Sequence, residues 1–135
     1  MLKAVFDSNI FISGFLFNGN QRLLLEQLVE GKIKVFISKE ILDEIKDVLN
    51  RPKFRLSSEK VNFIINEIES VSEVCFPKQK INDVCRDLKD HIVLECAVEA
   101  NADYIVTGDS DLLILEKFQQ IKIVDSMSMI RIGSR

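Results

Sequence analysis

The segment DYIVTGDSDLL, Asp103 to Leu113, decides the architecture of this chain. Tyr104, Ile105 and Val106 form an aromatic and β-branched run with no polar interruption, as expected of a strand buried on both faces. An apolar-periodic stretch over Asp87–Asn101 precedes it and reads as a helix. The strand, Asp103–Thr107, then gives way to a polar turn, Thr107 to Asp111, and a short helical turn over Asp111–Lys117.

The same alternation extends outward. Leu2–Asp7 and Lys32–Ile37 read as strands, and Gln120–Val124 as the last one. Gln21–Glu30 is a helix with Leu23, Leu24, Leu25, Leu28 and Val29 on a broad apolar face, closed by Gly31. Ser38 has the position of an N-cap for a helix over Lys39–Asn50, which Pro52 stops. Arg51–Ser58 is a polar connector, and Ser57 or Ser58 opens a helix running to Val71. Glu73–Asp83, with Pro77, reads as irregular, and Ser126–Arg135 as a short helix. Without a repeat, a low-complexity tract or a long linker, residues 1–135 read as a single α/β domain. Strands alternating with helices imply a mainly parallel sheet covered on both faces. Ligands of such sheets bind beyond the carboxyl ends of the strands, where the strand order reverses.

Bulk composition narrows the chemistry. Of the 135 residues, 47% are hydrophobic and 29% charged, which excludes a disordered chain. No apolar run approaches the roughly 18 residues of a membrane span. The N-terminus enters a strand without a basic leader, so the expected location is cytoplasmic, away from membranes. Cys75, Cys85 and Cys96 are odd in number and lack C-x-x-C spacing, which argues against zinc and against a disulfide framework. One histidine, His91, cannot build a histidine-rich metal centre. Any bound metal is therefore a hard cation held by oxygen. The net charge of −3 disfavours a broad basic face for nucleic acid, unless acids gathered in one pocket conceal a basic rim.

Several acids stand where surface acids should not. AVFDSNIFISG, Ala4 to Gly14, begins as a buried strand and stops on Asp7. Asp109 lies just past the end of DYIVT. At about 100° per residue, Asp90 falls in the middle of the stripe made by Val93, Leu94, Ala97 and Val98. An acid serving only the helix dipole has no need to face the core. Glu44 lies on the margin of the stripe formed by Ile41, Leu42, Ile45, Val48 and Leu49, and reads equally as a boundary residue with a packed stem. Asp111 reads as a cap or as a ligand. Carboxylates converging on one crevice repel each other, and a divalent cation removes that cost. Mg²⁺ suits such a set, and two such ions can clamp a phosphodiester while a bound water attacks it.

Together, DSN (7–9), SKEILDEIKDVLNRPKF (38–54), CRDLKDHIVLECA (85–97) and DYIVTGDSDLL (103–113) resemble the PIN-domain family, and within it the bacterial and archaeal toxin components of toxin–antitoxin pairs. The resemblance spans nearly the whole chain and keeps the order of four acids. It implies a three-layer α/β/α sandwich with Rossmann-like topology, and an Mg²⁺- or Mn²⁺-dependent ribonuclease. It also implies a homodimer held inactive by a protein antitoxin. Asp7, Glu44, Asp90 and Asp109 would be the catalytic, metal-binding acids and Asp111 an auxiliary ligand. Ser8, Asn9 and Thr107 would support them by hydrogen bonds. The chain departs from the family pattern at Leu88, where proline is usual, and at His91 and Ile92. Ile92 points away from the apolar stripe and marks a candidate protein contact. Lys46, Arg51, Lys53 and Arg55 form the one basic cluster near a proposed acid; they read as RNA contacts or, equally, as a solvated connector. Of Phe11, Phe15 and Phe17, two are expected in the core and one is free to stack.

Rival readings fail on particular residues. A haloacid-dehalogenase-type phosphatase needs a second Asp where Asn9 stands, and a receiver domain needs its middle acid on a strand end, whereas Glu44 and Asp90 are on helices. No glycine-rich phosphate loop follows the first strand. The remaining alternative is a PIN-like binding or scaffold module with little or no nuclease activity.

Overall fold

A computed structural model describes residues 1–135. The order along the chain is β1 (Leu2–Phe6), α1 (Ser8–Leu16), α2 (Asn20–Val29), β2 (Ile33–Ser38), α3 (Lys39–Leu49), α4 (Ser58–Val71) and β3 (Ser72–Cys75). After an irregular segment come α5 (Leu88–Ala100), β4 (Tyr104–Val106), α6 (Ser110–Leu113), β5 (Lys117–Phe118), β6 (Ile121–Val124) and α7 (Ser126–Gly133).

The six strands form one sheet in the order β3-β2-β1-β4-β6-β5. All neighbours pair in parallel except β5 with β6. The chain winds outward from β1 through β2 to β3, then returns to the other side of β1 to lay down β4. Strand order therefore reverses between β1 and β4, and this is where an open α/β sheet opens a crevice. The central strands carry the core: Ala4, Val5, Phe6, Ile37, Ile105 and Val106 are fully buried. The expected sandwich of helices on a mainly parallel sheet is what forms.

Helix α5 packs across β1, β2, β3 and β4 and also touches α3. It is buried on almost every side, including His91 and Glu95. Ile92 is half-buried, packed in part against the core. The polar groups of α5 are occupied by the segment that precedes it. Glu99 Oε1 accepts from Lys78 N at 3.1 Å, Glu95 Oε2 from Ile81 N at 2.9 Å, and His91 Nε2 from Cys85 N at 3.1 Å. Residues four apart lie on one helix face, so these three acceptors strap the irregular chain along α5.

Three local features differ from the sequence reading. Residues 8–16, to which the sequence reading assigns no element, form α1. Ser72–Cys75 forms an edge strand inside the segment expected to be irregular. Lys117–Phe118 adds a two-residue antiparallel strand. Phe11 is fully buried, Phe15 half-buried against the core, and Phe17 is 59% exposed.

Candidate metal centre

Asp7 is the residue that links strand to helix. Its N–H donates to Val106 O at 3.0 Å, continuing the β1–β4 ladder by one bond. Its carboxylate caps α1 by accepting from Asn9 N at 3.4 Å. The same device recurs at the crevice. Asp87 caps α5 through Lys89 N, and Asp109 caps α6 through Asp111 N. Asp90 occupies the first turn of α5, and Asp111 that of α6. Three helix N-termini thus point partial positive charge toward the acids gathered there.

Thr107 ties the two strand ends together. Its buried hydroxyl donates to Asp7 Oδ2 at 2.7 Å and accepts from Asp109 N at 3.0 Å. Across the crevice, Ser8 Oγ donates to Glu44 Oε2 at 2.8 Å, anchoring α3 to the start of α1. Asn9 contributes its backbone N–H to Asp7, and its side chain lines the cavity.

The cavity, of about 270 Å³, brings together Asp7, Glu44, Asp90 and Asp109. Asp87, the residue that caps α5, also lines it as a fifth acid. Its basic wall includes Arg51 and Lys53, as the sequence suggests, together with Lys89, and the uncharged Phe54 also lines the cavity; the sequence singles out neither Lys89 nor Phe54. Lys46 and Arg55 do not line it. Asp111 lies beside the crevice, where Arg86 Nη2 holds its Oδ1 at 2.7 Å. Oxygens of Asp90, Asp109 and Asp111 all lie within 4.8 Å of one another. A larger cavity, lined in part by Phe15, Leu25 and Val29, is separate from these acids.

Burial pushes the Asp7 carboxyl above the ordinary range; its hydrogen bonds with Thr107 and Asn9 oppose that, and the Asp109 charge adds to it. Asp90 is pushed up to about 7, first by burial, then by the charge of Asp109 and a hydrogen bond with its carboxyl, and then by the charge of Asp7. Asp90 is only 6% exposed, and its Oδ2 is buried with no hydrogen-bond partner. Buried polar atoms are almost always satisfied, and a carboxylate oxygen without a donor beside other carboxylates is short of a cation. These donors are all oxygen, the set that a hard divalent ion takes. The residues present fit a divalent metal ion.

No helix is long and apolar enough to cross a membrane. The family model described as "PIN domain" matches residues 3–111, a span that contains every acid of the crevice. No curated protein matches the chain.

Proposed function

The chain belongs to the PIN-domain family, a family of nucleases, and from that premise we propose that it is a divalent-metal-dependent endoribonuclease. The observation that carries this reading is the partnerless, buried Asp90 Oδ2 beside the oxygens of Asp109 and Asp111. Asp7, Glu44, Asp90 and Asp109 would hold Mg²⁺ or Mn²⁺, with Asp111 as an auxiliary ligand. A bound ion would supply Lewis acidity toward the scissile phosphodiester and a water acidic enough to attack at neutral pH.

The protein's own part is positioning. Thr107 fixes the Asp7 carboxylate and the start of the Asp109 turn through one hydroxyl. Ser8 fixes Glu44. Arg51, Lys53 and Lys89, on the rim of the same cavity, would hold phosphates flanking the scissile bond. Phe54, at that wall, offers a ring against which a base can stack. The finer reading is a cytoplasmic, homodimeric toxin of a type II toxin–antitoxin pair, silenced by a protein antitoxin. Its support is the likeness of the four acidic motifs to those toxins.

The test is cleavage of a mixed single-stranded and structured RNA pool by wild type and Asp7→Asn, with Mg²⁺, Mn²⁺ or EDTA. Metal-dependent cleavage lost in the variant supports the nuclease. A folded wild type that cleaves nothing with either metal moves the assignment to a binding module.

A further inference from the structure

A pair of thiols lies apart from the acid crevice. Cys75 ends the edge strand β3 and is half-buried; Cys96 sits in the middle of α5 and is fully buried. Their sulfurs are 3.3 Å apart, close enough for one thiol to hydrogen-bond the other. The third cysteine, Cys85, belongs to the strapped segment before α5 and is not in this contact.

We propose that Cys75 and Cys96 are an oxidant-sensitive pair that takes a hydroperoxide and closes to an intramolecular disulfide. The two positions divide the work by accessibility. Cys75, on the sheet edge, is the one that meets the oxidant. Cys96, buried against it, is within reach to resolve the product. The electrostatics favour Cys75 as the sulfur that attacks first. Hydrogen bonding from Cys96 holds the Cys75 thiol below its ordinary value, against burial and the nearby Glu99 and Glu40. The Cys96 thiol is pushed up, first by that hydrogen bond and then by burial. Burial, followed by the charges of Asp90 and Asp109, pushes Cys85 up as well; what sets Cys85 apart is that it is not in the sulfur–sulfur contact.

The chemistry balances in two steps. The Cys75 thiolate attacks one oxygen of the hydroperoxide and the O–O bond breaks. That oxygen becomes the hydroxyl of a sulfenic acid, and the other leaves as an alkoxide that takes up the proton Cys75 gave away. The Cys96 sulfur then attacks the Cys75 sulfur. An S–S bond forms, the S–O bond breaks, and the departing hydroxide leaves as water with the Cys96 proton. Two thiols have lost two electrons, and one hydroperoxide has become an alcohol and a water.

The bond would close a loop spanning 21 positions and tie β3 to the helix that carries Asp90. A cross-link of this kind stabilises mainly by restricting the unfolded chain. The inference is independent of the nuclease reading.

The experiment treats reduced, full-length protein with one equivalent of hydrogen peroxide, then counts thiols in denaturant and maps peptides without reduction. The expected result is a fall from three free thiols to one, with a Cys75–Cys96 peptide, free Cys85 and a melting midpoint several degrees higher that dithiothreitol reverses. Cys75→Ser, at the more exposed position, should keep both remaining thiols under the same treatment. Three surviving thiols in wild type would overturn the proposal, as would a link involving Cys85 or a disulfide between two chains. The wild-type peptide map decides even if the variant does not fold.

Discussion

Asp90→Asn in metal-free protein should stabilise the fold at alkaline pH and change nothing in acid. The carboxyl titrates near about 7 in the folded chain against about 3.9 in an unfolded one. Between those values the native state binds the extra proton, so stability falls as pH rises. The penalty starts above about pH 4 and is complete above about pH 7. Three pH units at about 1.36 kcal/mol each give about 4 kcal/mol. The crevice opens to water, which screens the charges, so about 2 kcal/mol is the figure to expect. Asn is isosteric and carries no charge, so it avoids the penalty. Urea unfolding in EDTA at pH 8 should therefore show the variant more stable by about 2 kcal/mol, and the two curves should nearly coincide at pH 4.5. Mg²⁺ should recover much of this difference in wild type, because it neutralises the same oxygens, and should do little for the variant. The reasoning fails if Asp90→Asn is the less stable protein at pH 8, or if the difference does not depend on pH.

Thr107→Val removes the hydroxyl shared by Asp7 and the Asp109 N–H and leaves that amide without its partner; thermal unfolding should show a loss of about 1–3 kcal/mol, and RNA cleavage should fall by an order of magnitude or more. Arg51→Ala with Lys53→Ala should raise KM and flatten its dependence on salt while leaving kcat nearly unchanged, which a cleavage series from low to moderate ionic strength would read. An unchanged salt slope would remove these two residues from the RNA path. Gly14→Ala places a methyl 2.5 Å from Leu25 Cδ1 and 3.1 Å from Gln21 O, where α1 and α2 meet; calorimetry should show destabilisation of about 1–3 kcal/mol.

The parts of this protein legible from sequence are those whose signals are local. Buried parallel strands are short apolar runs, so Ala4–Phe6 and Tyr104–Val106 announce themselves, and with them the acids at their ends, Asp7 and Asp109. Helix starts are written in single side chains: Ser38 and Ser57 each accept the expected backbone N–H. Asp90 is conspicuous because one carboxylate interrupts a stripe. Helix α1 is not legible in this way. Ile10, Phe11 and Ile12 are buried in succession between sheet and neighbouring helices, so no amphipathic period marks it. Strand β3 is hidden for the opposite reason: at the sheet edge its central residues, Glu73 and Val74, stay exposed. The membership of the crevice required the fold. Asp87, Lys89 and Phe54 join it only when the N-terminus of α5 and the turn after α3 meet over the β1–β4 switch. Local sequence determined where each strand ends on an acid; long-range packing decided which acids and cations share one cavity, and that Cys75 meets Cys96.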